Sequence, residues 1–167
     1  MQRVMVVGCP GLGKSTLARE LAAATGLPLV HLDFHYWQAG WVPTDKSVWA
    51  EKVKELAADP CWIIDGNYGG TLEYRVARAD TVILLDFPTH ICFFRALRRM
   101  LMGFTKKREG EFVDGCEERF DWKFLWFVLN YKRARRSRDL DKLAQFDGQI
   151  LRFEHPKELE RLWRLVG

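Results

Sequence analysis

Apolar residues enter this chain in short unbroken runs separated by stretches of helical spacing. Val4 to Val7 is a β-branched run that stops at Gly8, and from Ser15 the apolar positions fall at Leu17, Leu21 and Ala24, one face of a helix. Gly26 and Pro28 end that helix, and LPLVHLD, Leu27 to Asp33, reads as a second buried strand. Trp49, Val53 and Leu56 space a second helix over Trp49 to Ala58; Pro60 closes it, and CWIIDG, Cys61 to Gly66, forms a third strand. TVILLDF, Thr81 to Phe87, is a fourth, apolar enough to be covered on both faces. Ile91 to Met102 is a basic amphipathic helix, Gly103 to Gly115 a polar loop, and Phe120 to Arg136 a helix rich in aromatics. QILRF, Gln149 to Phe153, gives a fifth strand, and Pro156 to Val166 a closing helix with Leu159, Leu162 and Leu165. Strand and helix alternate throughout, which predicts a three-layer α/β domain on a five-stranded parallel sheet spanning residues 1–167.

Composition narrows the class. With 167 residues and 48% hydrophobic content, one full core is expected. The net charge is only +4, but residues 95–138 hold 13 basic and 6 acidic side chains, so this middle segment favours anions, whether small phosphates or nucleic acid. Cys9, Cys61, Cys92 and Cys116 form no CxxC pair, which argues against a zinc site or a disulfide framework. No run of about 18 apolar residues occurs, and Met1 leads into an apolar strand too short for a signal segment, so a cytoplasmic protein without a membrane span is expected.

The chemistry starts at GCPGLGKS, Gly8 to Ser15, which fits G-x-x-x-x-G-K-[ST] at every fixed position between a strand and a helix. Glycines at Gly8, Gly11 and Gly13 let successive N–H groups turn inward, and the helix that follows adds its positive end. Lys14 is placed to reach the β and γ phosphates of ATP, the Ser15 hydroxyl to hold Mg2+, and Thr16 to extend the phosphate-binding turn. An N-K-x-D guanine reader is missing, and the chain is short for a motor; a phosphotransferase fits its size.

In an open α/β sheet ligands gather beyond the carboxyl ends of the strands. Three carboxylates are expected there: Asp33 at the end of the second strand, Asp65 at the third, and Asp86 at the fourth, where the following FP makes a simple strand exit an equal or better reading. One of them should serve magnesium and another the acceptor hydroxyl.

These motifs resemble the nucleoside and nucleotide kinase group of P-loop proteins, and most closely the bacterial topology modulation proteins, which are adenylate-kinase-like. The residues that carry the likeness are GCPGLGKS, HLDFHYW, GWVPT, WIIDGNYGGTLEYR and LLDFP. The resemblance implies the third strand beside the first and Asp65 as the acid next to magnesium. It also implies Asp33 as the general base toward the acceptor, and Asn67, Tyr68 and Arg75 as substrate contacts after the third strand. Asn67 and Tyr68 stand where adenylate kinases carry Phe-Pro, and no Arg directly follows them. His35, two residues after Asp33, is expected near substrate, with Trp37 and Trp41 shaping its pocket or packing as core. A small helical lid is expected within about 95–138, with Arg95, Arg98, Arg99, Lys106, Lys107 and Arg108 as candidates to close over the phosphoryl group, Arg95 and Arg99 foremost, and Gly103 and Gly110 as hinges.

The implied function is an ATP- and Mg2+-dependent kinase acting on a small acceptor, a nucleoside or nucleotide. A second reading is a nucleotide-binding regulator that contacts nucleic acid. It draws on YKRARRSR, Tyr131 to Arg138, where a helix end would attract cations anyway, and on Trp122, Phe124, Trp126, Phe127 and Tyr131, which helical spacing assigns first to the core.

Overall fold

The computed structural model describes residues 1–103 and 121–166. In chain order its elements are β1 (Arg3–Gly8), α1 (Lys14–Thr25), β2 (Leu29–His31), α2 (Leu32–Tyr36), β3 (Trp37–Gln38), β4 (Val42–Pro43), α3 (Lys46–Ala58), β5 (Trp62–Asp65), α4 (Leu72–Val76), β6 (Thr81–Leu85), α5 (Thr89–Gly103), α6 (Trp122–Tyr131), α7 (Ser137–Leu143), β7 (Gln149–Phe153) and α8 (Glu160–Val166). The five long-range strands form one parallel sheet in the order β2-β5-β1-β6-β7, and β3 and β4 make a separate antiparallel hairpin. β5 therefore lies beside β1, with Asp65 abreast of Val6.

The period of two along each strand divides the core. Val4, Val6, Ile63, Ile83 and Leu85 face a layer built from Leu17, Ala18 and Leu21 of α1, Cys92, Ala96 and Met100 of α5, and Leu125 and Val128 of α6. Met5, Val7, Ile64, Val82 and Leu84 face the opposite layer, where Trp49, Val53 and Ala57 of α3 pack with Leu72 and Leu143. Both faces are covered, which is why these strands read as unbroken apolar runs. No helix among the described residues is long and apolar enough to cross a membrane.

Three expectations change. The second strand ends at His31, and Asp33 sits in the first turn of α2, where a carboxylate suits the helix dipole. YKRARRSR does not lie at a helix end: a π-helical turn, Lys132–Arg136, joins α6 to α7. The α6 aromatics are split by helical phase, with Tyr131 buried and Phe124 half-buried, while Trp122 and Trp126 are each 69% exposed. The polar loop expected from Gly103, with Lys106, Lys107, Arg108 and Gly110, lies outside the described residues apart from Gly103, the last residue of α5.

Candidate active site

At the carboxyl end of β1 the chain turns through Gly8, Gly11 and Gly13, all at positive φ (145°, 83° and 87°). The two outer glycines answer different needs. A Cβ on Gly8 would stand 2.2 Å from the carbonyl oxygen of Leu85, so the neighbouring strand excludes any side chain there. Among the described residues nothing lies within 4 Å of a Cβ on Gly13, which caps the N-terminus of α1 without a side-chain hydrogen bond. That end of a 12-residue helix is an open, positively polarised cradle of N–H groups. Ser15 and Thr16 follow in the first turn, half-buried and exposed respectively.

The loop is braced from several sides. Lys14 Nζ donates to the Cys9 carbonyl at 3.2 Å, folding over the loop. Arg95 Nη1 donates to the Leu12 carbonyl at 3.1 Å, and its guanidinium lies 5.9 Å from the Phe87 ring centre. Arg99 instead stacks 5.3 Å over Phe124 of α6. Asn67 pairs with both backbone groups of Gly8: Gly8 N–H donates to Oδ1 at 2.9 Å and Nδ2 donates to the Gly8 carbonyl at 2.7 Å. Asn67, expected to touch substrate, thus commits its amide to the phosphate loop.

Asp65, at the end of β5, is only 5% exposed. Its Oδ2 lies 3.1 Å from His31 Nδ1, while its buried Oδ1 has no hydrogen-bond partner among the described residues. A buried carboxylate oxygen without a donor is costly unless a ligand satisfies it. A hard oxygen donor one strand over from the phosphate loop fits Mg2+, which is held by one or two carboxylates together with substrate phosphates. Among the described residues no cluster of three acidic, His or Cys side chains would cage a metal without the nucleotide.

Across the same sheet edge, the exposed Asp33 carboxylate accepts the Tyr68 hydroxyl at 2.5 Å. Burial first, then the Asp33 charge and hydrogen bond, push the Tyr68 hydroxyl far above its usual range, so it stays protonated and donates. Tyr68 packs 4.7 Å from Tyr36 and 4.9 Å from Trp49; Tyr36 in turn meets Trp37 at 4.8 Å, and Trp37 meets Trp41 at 5.6 Å. The result is an aromatic wall beside a carboxylate. Tyr68 (φ 36°) and Trp41 (φ 63°) both hold left-handed backbone in this wall; among the described residues no other non-glycine does, and such strain concentrates at functional sites. His35 stands exposed in the same helix as Asp33; burial and the Lys52 charge hold its imidazole below the usual range, which favours the neutral form.

Arg75 is brought to this region but not to its surface. It is fully buried, with Nη1 donating to the Gly66 carbonyl at 2.7 Å and Nη2 to the Asn67 carbonyl at 2.5 Å. Burial pushes its pKa down to about 10 against the opposing charges of Asp139 and Asp65. Expected as a substrate contact, it instead lies under the turn and supports the backbone that carries Asn67 and Tyr68; a guanidinium with no exposed surface cannot reach an acceptor.

Asp86 is more than a strand exit. Its buried carboxylate takes two hydrogen bonds from Arg136 at 2.8 and 2.6 Å and two from Arg152 at 3.1 and 2.7 Å, with Lys132 Nζ at 3.5 Å. The contacts of His31, Tyr131, Asp139 and the Asp86 partners are not legible in the sequence, because they join residues far apart in the chain.

No protein-family model matches the chain, and no curated protein matches it by sequence. Solved structures do match in fold. A shikimate kinase from Bacteroides thetaiotaomicron superposes with a TM-score of 0.60 at 18% identity, over 99% of this chain and 98% of that one. A shikimate kinase from Acinetobacter baumannii in complex with shikimate gives 0.64 at 15% identity, over 99% and 93%. A gluconokinase from Sinorhizobium meliloti gives 0.55 at 15% identity, over 99% and 89%. The fold is therefore the α/β fold of these kinases, with its five-stranded parallel sheet.

Proposed function

We propose that this protein is a kinase that uses ATP and Mg2+ to phosphorylate a hydroxyl of a small acceptor, within the adenylate-kinase-like group to which the topology modulation proteins belong. The observation that carries the reading is the unpartnered, buried Oδ1 of Asp65 one strand away from an open phosphate loop. The matching folds support it, since the structures that share this architecture are named as kinases.

In this reading Gly8 shapes the turn, and the N–H groups of Gly11 to Gly13 and the start of α1 hold the phosphates, with Thr16 in the same turn. Lys14 swings from the Cys9 carbonyl onto the β and γ oxygens, while Arg95 keeps the loop in shape and adds positive charge beside it. Ser15 and Asp65 hold the magnesium ion, which when bound offsets charge developing on the transferred group. Asp33, its orientation fixed by Tyr68, accepts the proton of the acceptor hydroxyl. The edge-to-face rings of Tyr36, Trp37 and Trp41 give that acceptor an aromatic wall, with His35 at its rim, which suits a nucleoside or nucleotide. Incubating the protein with MgATP and a panel of nucleosides, nucleoside monophosphates and hydroxy acids, with mass spectrometry of the products, tests the reading; ATP consumption with no phosphorylated acceptor speaks against it.

One observation favours a second role. Trp122 and Trp126 stand exposed on α6, and Arg133 and Arg135 stand exposed on the turn that follows, an aromatic and basic surface of the kind that single-stranded nucleic acid binds. Arg136 is not available to it, being held by Asp86. Nucleic-acid affinity that falls steeply with salt and disappears in Arg133→Ala/Arg135→Ala would support that role, and salt-independent or absent binding would remove it.

A further inference from the structure

We propose that Tyr131 is a positioning residue for the phosphate loop, acting through Asn67; the proposal rests on the reading of that loop as a nucleotide site. β5 ends at Asp65, where the Gly66 N–H still donates to the Val6 carbonyl at 3.2 Å. One step further, the Asn67 side chain takes over from the strand and supplies Gly8 with an acceptor and a donor in place of a backbone. Gly8 is thereby gripped between this amide and the Leu85 carbonyl at the point where β1 becomes the loop. The grip works in one orientation only: a flipped amide would set its NH2 against the Gly8 N–H and its oxygen against the Gly8 carbonyl.

Tyr131 supplies the preference. Its hydroxyl donates to Asp139 Oδ2 at 2.9 Å, so the oxygen faces Asn67 as an acceptor and takes the second hydrogen of Nδ2 at 3.4 Å. An Asn67 oxygen turned toward Tyr131 would meet a hydroxyl whose hydrogen is already committed. The ring is 6% exposed, and burial and the Asp139 charge push its hydroxyl well above the usual range, which keeps the proton on the oxygen. From the other side, Arg75 holds the Asn67 carbonyl. A polar line thus runs from Asp139 in α7 through Tyr131 in α6 and Asn67 after β5 to the first glycine of the loop.

The test is equilibrium binding of ADP to the full chain by calorimetry, paired with thermal melting. Tyr131→Phe keeps the ring and removes the hydroxyl; ADP affinity is expected to fall about 3- to 10-fold. Val128→Ala, in the same helix and fully buried, should lower the melting temperature at least as much while leaving affinity within about twofold. The decisive comparison is a double-mutant cycle: in an Asn67→Ala background, or Asn67→Ser where the alanine variant does not fold, Tyr131→Phe should cost no further affinity. An unchanged affinity in Tyr131→Phe, or a loss of equal size with and without the Asn67 amide, overturns the proposal. Failure of the unsubstituted protein to bind ADP would instead strike the nucleotide reading, and this proposal with it.

Discussion

The Tyr68 hydroxyl donates to Asp33 Oδ1 at 2.5 Å, joining a residue held in left-handed backbone after β5 to the first turn of α2. The hydrogen bond is charge-assisted and sets the direction in which the carboxylate points. Tyr68→Phe is expected to lower kcat about tenfold with the KM for ATP unchanged, because the phosphate loop is untouched. Steady-state kinetics with ATP and acceptor varied in turn measure the split. Equal losses in both KM values would argue for a general structural role.

The two ends of the glycine loop should respond oppositely to one added methyl group. Gly8→Ala drives a Cβ into the Leu85 carbonyl and is expected to cost more than about 3 kcal/mol or to prevent folding. Gly13→Ala meets no atom of the described residues within 4 Å and costs the left-handed strain, about 1 kcal/mol, while its methyl group crowds the phosphate cradle. Denaturant unfolding and ADP titration of the pair separate the effects: a folded Gly13→Ala protein with ADP affinity reduced at least tenfold is the expected result.

Removing the Arg75 fork leaves the Gly66 and Asn67 carbonyls buried without their donor. Arg75→Met is expected to destabilise the protein by about 2–4 kcal/mol. Arg75→Lys should recover little, since an ammonium does not span both carbonyls in the plane a guanidinium does. Urea unfolding checks this; a stable Arg75→Met protein with impaired acceptor binding would return the residue to the substrate.

Asp86 should make stability depend on acid. Burial alone raises its carboxyl pKa, but the hydrogen bonds of Arg136 and the charges of Lys132, Arg136 and Arg152 outweigh it and hold the pKa below the usual value of 3.8. The folded-state pKa is thus the lower one, so the contribution is complete above the unfolded value and is lost as pH falls through the folded one. Asp86→Asn should cost about 2 kcal/mol at neutral pH, tempered by the partial exposure of the three cations, and the gap from the unsubstituted protein should narrow below about pH 4. Unfolding free energies across that range measure it; a gap that widens in acid would contradict the pairing.

What the sequence disclosed was local. The loop glycines and Lys14 follow from contiguous residues, and the strands follow from apolar runs covered on both faces. The end of the second strand was misplaced because apolar residues continue to Leu32, whereas only Leu29 to His31 finds a partner in β5. Arg75 looked like a ligand-binding arginine because its distance from Asn67 along the chain says nothing of the carbonyls it turns inward to meet. Trp122 and Trp126 looked like core because helical spacing alone does not say which face of α6 is turned inward; Leu125 and Val128 take the inner face instead. Asp86 and Tyr131 depended on partners as much as 66 and 64 residues away.

The central claim is tested most directly by following transfer of the labelled γ-phosphoryl group of MgATP to a panel of small hydroxyl acceptors, with the unsubstituted protein and Lys14→Ala in parallel. Label appearing on one acceptor class, dependent on magnesium and reduced at least a hundredfold in Lys14→Ala, is the predicted result. Label released only as inorganic phosphate, or transfer that survives Lys14→Ala undiminished, would contradict it.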